Sequence, residues 1–236
     1  MAPGIPKRTD TMKTTALVLL TCTLILTSGF ATANDGKPMT NAEATDAYNS
    51  HPISRFPVPT VDELPEDLQQ VVKSMEDQRG FVSNVVMALA HRPAELRAFM
   101  GYIQAMQRSG SSVTDAEREM IVIAHSAYNG CSYCIASHGA ALRTMTGNPY
   151  LSDQIVTNYH EADITGRQMA MLDFAVKLTA EPNRVNEEDF DILRSHGLSD
   201  EDIWDVSALT AFFNMSNRLM SVLGVRPDAE FYDMGR

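Results

Sequence analysis

The sequence is short of the residues from which several large protein classes are built. Only 7% of its 236 residues are aromatic, and 19 Lys and Arg stand against 30 Asp and Glu, leaving a net charge of −11. Phosphate-binding and anionic-membrane surfaces need clustered cations, so nucleic acid is excluded as a partner. Glycine and proline number only 13 and 11, which excludes collagen-like and low-complexity chains. Three cysteines are too few for a disulfide scaffold, and an odd count leaves one over. Long hydrophobic runs are also missing. The apolar stretch from Ala16 to Leu26 is interrupted by Thr21, Cys22 and Thr23, and it falls well short of the ~20 residues that cross a bilayer. What is present, 44% hydrophobic residues, suffices for one globular core.

That apolar stretch reads instead as the centre of a secretory signal peptide. Lys7, Arg8 and Lys13 precede it, and Ala31-Thr32-Ala33 puts small residues at −3 and −1 of a cleavage site. Met12-Lys13 is an equally good start. A lipid-modified Cys22 fits poorly, because Thr21 is bulkier than the small residue such a site requires. Cleavage after Ala33 removes residues 1–33, with three cations and one anion, and moves the net charge from −11 to −13. It also removes Cys22. The expected product is exported to the periplasm with no stable membrane association, and it keeps two cysteines, Cys131 and Cys134, as one C-x-x-C.

Residues 34–61 are polar and carry Pro38, Pro52, Pro57 and Pro59. Proline and its preceding residue disfavour helix, so an extended arm is expected. From 62 to 228 the signals are helical. Asp62-Glu63-Leu64-Pro65 begins a helix that stops before Gly80. A short apolar segment, Val82 to Ala90, follows. His91-Arg92-Pro93 opens a helix with Leu96, Phe99, Met100, Ile103 and Met106 on one face. Thr114 with Glu117, Thr165 with Gln168, Asn186 with Asp189 and Ser199 with Asp202 each resemble a capping box opening a helix. Asn129-Gly130 and Gly224 are stops. Ile121-Val122-Ile123 alone resembles a strand, but the upstream box and the lack of turn signals favour helix. The expected fold is all-α, about eight helices over 62–228, with a C-terminal tail at 229–236. Met120–Ala127 and Val206–Leu223 are apolar nearly all round, and such helices need cover on every side, in part from other subunits.

Chemistry concentrates in residues 117–143. Gly130 breaks one helix, so Cys131 falls at the start of the next, where free N–H groups and the helix dipole favour thiolate over thiol. Cys131, Cys134 and His138 follow at i, i+3 and i+7, along one helical face. Glu119, flanked by apolar neighbours in the preceding helix, is a candidate proton store for the same site. Haem attachment would need His directly after Cys134, and that residue is Ile135. A thioredoxin fold needs βαβ units. A zinc site from Cys131, Cys134, His138 and His125 has suitable ligand types, but three of them share one helix rather than forming two separated pairs. A purely structural disulfide across two residues would constrain little of the unfolded chain. Redox work is the better reading. His125 is more simply a satisfied core histidine, Asn214 and Arg218 satisfy buried backbone or bridge subunits, Trp204 is a core or interface anchor, and the 14 methionines are packing material.

The spacing Glu119-x11-Cys131-x2-Cys134-x3-His138 in a helical chain resembles the alkylhydroperoxidase D-like branch of the carboxymuconolactone decarboxylase superfamily. The likeness extends to its peroxidase-related members through Arg55-Phe56-Pro57, Arg79-Gly80-Phe81-Val82, Ala88-Leu89-Ala90-His91-Arg92-Pro93, Asp173-Phe174-Ala175 and Phe212-Phe213-Asn214…Asn217-Arg218, covering nearly all of 52–232. The resemblance implies thiol-dependent reduction of hydroperoxides without metal or cofactor, and assembly as a homotrimer or homohexamer. It implies Cys134 as the attacking thiol, Cys131 as the resolving one, and Glu119 with His138 as the proton relay. A dithiol or protein reductant restores the pair. Dipole arguments favour Cys131 as the more acidic sulfur, so the two roles stay open. Some members carry His before the second cysteine, where this chain has Tyr133. An exported chain also lacks the cytoplasmic lipoyl-type donor, which keeps thiol–disulfide exchange as an alternative. A lactone decarboxylase would leave the C-x-x-C idle.

Overall fold

The computed structural model describes residues 38–107 and 110–236. The expected signal peptide and its cleavage point lie outside them. The chain divides into two units, 1–42 and 43–236, and of the first only 38–42 are described.

The elements are helical throughout. In order they are α1 (Asn41–Asn49), α2 (Glu66–Arg79), α3 (Asn84–Leu89), α4 (Pro93–Ala105), α5 (Asp115–Asn129), α6 (Ser132–Thr146), α7 (Leu151–Asn158), α8 (Gly166–Ala180), α9 (Glu187–Ser195), α10 (Asp200–Leu223) and α11 (Glu230–Asp233). No strand forms among the described residues, and Ile121–Ile123 are helical. All four expected capping boxes are made: the side chains of Thr114, Thr165, Asn186 and Ser199 accept backbone N–H groups, while Glu117, Gln168, Asp189 and Asp202 reach back. Pro93 occupies the first turn of α4, where its missing N–H costs nothing. No helix among the described residues is long and apolar enough to cross a membrane.

Helix α5 is the centre, packed by α6, α7, α8 and α10. Its residues Met120 to Ser126 are all buried, so the apolar circumference expected to need outside cover is enclosed by the chain itself. Ile121, Ile123, Leu142, Met171, Leu172, Leu193 and Val206 form the larger core. Leu68, Val72, Leu96, Ala140 and Met220 form a second, which also takes in both cysteines. The Leu, Ile, Val and Met side chains among them contribute roughly 1.5–3 kcal/mol each on burial. Helix α10 behaves differently. Trp204, Met215 and Val222 stay 72%, 46% and 58% exposed along one stripe, with Ala211 between them. Trp204 is therefore not a core anchor.

Within the expected arm, the described residues are mostly irregular from 50 to 60, but Asn41–Asn49 form a helix where extended chain was expected. Between Pro38 and Pro52 there is no proline, three alanines favour helix, and α1 forms. Nothing in α1 is buried, and its tie is distant: the Tyr48 hydroxyl donates to Pro227 O at 2.9 Å, and the Arg226 guanidinium lies 3.7 Å over the Tyr48 ring. The C-terminal tail is likewise anchored. Buried Arg143 donates to Phe231 O at 2.6 Å, Met234 O at 3.0 Å and Ser152 Oγ at 3.1 Å. Gly235, at φ 73°, lies so close that a Cβ there would fall 2.7 Å from Arg143 Cβ.

Candidate active site

Gly130 takes φ 67°, ψ 28°, a left-handed turn that suits glycine because it has no Cβ. The chain doubles back there, and Cys131 becomes the N-cap of α6. Its sulfur accepts the backbone N–H of Cys134 at 3.4 Å, and the two sulfurs share a hydrogen bond at 2.7 Å. Both are free thiols, each 2% exposed. A disulfide needs about 2.05 Å, so oxidation requires only a small movement of the two side chains.

The two thiols are driven apart in acidity. The hydrogen bond from Cys134 lowers Cys131, aided by the Cys134 backbone N–H, His138 and the Asn217 carboxamide, against the opposing effect of burial. Cys134 is raised, first because it shares its proton with Cys131 and then by burial. The N-cap position adds the helix dipole to the same effect. Of the two sulfurs Cys131 is thus the more acidic, and Cys134 is the one that keeps its proton longer as pH rises.

Doubling back also brings Glu119 of α5 opposite His138 of α6. Their Oε2 and Nδ1 are 2.6 Å apart, with side-chain exposures of 19% and 22%. The carboxylate fixes the proton on Nδ1 and leaves Nε2 as the free nitrogen. The Phe213 ring of α10 stands edge-on to His138 at 4.7 Å. The four expected residues, Cys131, Cys134, His138 and Glu119, are therefore held by one α5–α6 hairpin, with the thiols buried and the relay pair about one-fifth exposed to solvent. Glu117, expected at the helix start, does cap it, and it also pairs with Arg167 at 3.4 Å while buried.

Three further groups complete the surroundings. His125 is not a satisfied core histidine: it is wholly buried, neither ring nitrogen has a hydrogen-bond partner, and burial lowers it to about 3, so the ring is neutral. Tyr133 is committed elsewhere. Its hydroxyl donates to Asp228 Oδ2 at 3.2 Å and accepts the Val85 N–H at 3.3 Å, tying the first turn of α6 to α3 and the C-terminal segment. Burial raises both partners, Asp228 to about 6. Asn217, buried on α10, donates from Nδ2 to Ser126 Oγ at 3.0 Å and accepts Asn129 Nδ2 at 2.8 Å. Sequence reasoning noted Asn217 only as part of a motif. The signal was there, in a carboxamide one helical turn from the apolar Phe213 and Met220.

Among the described residues no three His, Cys, Asp or Glu side chains are gathered to hold a metal ion. Two shallow cavities, of 360 Å³ between α8 and α9 and of 230 Å³ beside Tyr48 and Asp228, lie apart from the thiols and are lined by none of the four residues.

Residues 93–172, spanning α4 to most of the first half of α8 and so the whole hairpin, match the carboxymuconolactone decarboxylase family. A peroxidase-related protein from Ralstonia eutropha JMP134, described as an alkylhydroperoxidase AhpD core, shares 51% identity over 79% of this chain and 98% of its own, with a TM-score of 0.77. A peroxidase-related protein from Silicibacter sp. TM1040 shares 38% identity over 79% and 97%, with a TM-score of 0.75. The debrominase Bmp8 shares the fold alone, at 20% identity over 77% and 95% and a TM-score of 0.63. No curated protein matches. The first two of these relatives are described as uncharacterized peroxidase-related proteins, and the debrominase shows that chemistry on this fold varies.

Proposed function

The chain belongs to the carboxymuconolactone decarboxylase family, in its alkylhydroperoxidase-like, peroxidase-related branch, and on that premise we propose that it is a thiol-dependent peroxidase. The observation that carries this reading is the pairing of two sulfurs 2.7 Å apart with a carboxylate–imidazole pair on the same hairpin.

The chemistry balances without a metal or cofactor. A thiolate attacks the terminal oxygen of the hydroperoxide, the O–O bond breaks, and the leaving alkoxide takes a proton through His138. The sulfur is then a sulfenic acid. The second thiol attacks it, water leaves, and Cys131–Cys134 becomes a disulfide. A dithiol reductant returns two electrons by exchange. Attack from Cys131 uses the more acidic sulfur directly. Attack from Cys134, the order that the family resemblance implies, requires the shared proton to cross first. The burial of both sulfurs favours a small hydroperoxide over a protein disulfide as oxidant, which sets this reading above thiol–disulfide exchange.

Two further parts of the proposal concern where and how the enzyme works. Export to the periplasm is supported by the basic, apolar and small-residue order of 1–33. Assembly as a homotrimer or homohexamer is supported by the exposed apolar stripe of α10. The enzymatic core is tested by peroxide consumption with a dithiol. Cys131→Ser and Cys134→Ser should each abolish turnover, while trapping of a sulfenic acid in the two variants identifies the attacking sulfur. Full activity in Cys134→Ser would overturn the mechanism.

A further inference from the structure

One arginine of the fold is held firmly and left unspent. Arg226 lies in the segment between α10 and α11, and its backbone is clamped from two sides. Its N–H donates to Ile53 O at 3.0 Å, and its carbonyl accepts Asn84 Nδ2 at 3.0 Å. Its guanidinium carbon sits 3.7 Å from the centre of the Tyr48 ring. Stacking of this kind engages the face of the guanidinium and leaves its five in-plane N–H donors free. Among the described residues none accepts a hydrogen bond from it or pairs with it, and its buried Nε is without a partner. Arg143 shows the usual outcome, with Nε and both terminal nitrogens spent on Met234 O, Ser152 Oγ and Phe231 O. An unpartnered donor on a charged group is costly to bury, so the Arg226 fork calls for an acceptor.

The side chain lines the polar cavity of 230 Å³, beside Tyr48, His51, Asn84 and Asp228. Asp228 is not that acceptor. Its carboxylate takes the Asn84 N–H at 2.9 Å and the Tyr133 hydroxyl at 3.2 Å, so it is spent on α3 and α6. Glu230, also at the cavity, is exposed and forms no ion pair with the arginine. The donor set selects its ligand. A guanidinium presents a planar fork that a carboxylate fits with two parallel hydrogen bonds. Two acidic side chains at the same cavity oppose a dianion more than a monoanion. Ile53, Phe81 and Val82 supply an apolar wall for a short carbon chain. We propose that this cavity binds a small organic monocarboxylate, held by Nε and a terminal nitrogen of Arg226. The clamped backbone and the ring beneath fix the fork before the ligand arrives, which lowers the cost of binding. The site goes beyond the peroxidase reading and is independent of it, since no residue of the dithiol or the relay lines the cavity.

Saturation-transfer difference NMR of sodium propionate with the reduced protein tests this, at constant ionic strength and with no peroxide present. The propionate signal should rise to saturation with concentration. Arg226→Gln removes the cation and should abolish that signal with the helical circular dichroism retained. Arg226→Lys keeps the charge and loses the fork, so it should weaken binding about tenfold, the equivalent of one good hydrogen bond. It serves if Arg226→Gln fails to fold. Acetate should displace propionate at a lower concentration than inorganic phosphate does. A propionate signal that does not saturate in the wild type would overturn the proposal. So would unchanged binding in either Arg226 variant, or displacement by phosphate at the same or a lower concentration than by acetate.

Discussion

Replacing Glu119 by Gln removes one charge and almost no volume. In the protein its Oε2 lies 2.6 Å from His138 Nδ1, with both side chains about four-fifths covered. Hydrogen bonds to an ionised partner are worth about 1.5–3 kcal/mol, against about 1 kcal/mol for neutral pairs. The imidazolium formed during proton transfer therefore loses on the order of 1–2 kcal/mol of stabilisation, roughly a five- to thirtyfold loss in rate. The tautomer adds to this. Gln can donate to Nδ1 as readily as accept from it, so a fraction of the rings will carry the proton on Nε2, the nitrogen that must exchange with the site. We expect a total loss of about 10- to 100-fold, within the range of a general acid–base contribution. The assay is steady-state consumption of hydrogen peroxide and an alkyl hydroperoxide with a dithiol reductant, beside alkylation of the resting thiols, which should change far less. Glu117→Gln, two residues away in the capping box, is the contrast, with a lower melting temperature and an unchanged rate. An E119Q rate within about twofold of wild type would refute the relay.

Two other perturbations probe the surroundings. Burial raises Asp228 in the fold to about 6, above its ordinary value, so the folded protein gains stability as pH falls through 6 and carries the burden above it. Asp228→Asn should therefore raise the melting temperature more at pH 8 than at pH 5, and equal effects at both would contradict the burial argument. Trp204→Glu with Met215→Glu places charge on the exposed stripe of α10 and should lower the mass measured by light scattering to that of one chain, with the α-helical circular dichroism retained. An unchanged assembly would place the interface elsewhere.

How much of this was legible in the sequence follows from how local each feature is. The capping boxes at Thr114, Thr165, Asn186 and Ser199 are made by residues three apart, and each was readable and is made. The C-x-x-C, His138 and Glu119 were readable for a similar reason, since one glycine break and helical spacing bring them together. Features that depend on distant partners were not. Helix α1 exists in a proline-bearing arm, tied at Tyr48 to Pro227, and α11 is held by Arg143 from 88 residues away. His125 looked like an ordinary core histidine because its lack of partners depends on what α10 presents to it. Asn217 needs the α5–α6 turn beside it before its carboxamide has any meaning. Tyr133 was readable only as a phenol where some relatives carry His, and the groups its hydroxyl meets, Asp228 and Val85, come from distant segments.

The central claim is that Cys131 and Cys134 are a two-electron redox pair for hydroperoxide. Mass spectrometry after differential alkylation, on reduced protein given one equivalent of hydroperoxide, tests it directly. The account predicts that both thiols vanish together, with one intramolecular disulfide formed and one hydroperoxide consumed per chain, and that a dithiol restores them. Thiols that remain alkylatable while hydroperoxide persists would contradict it.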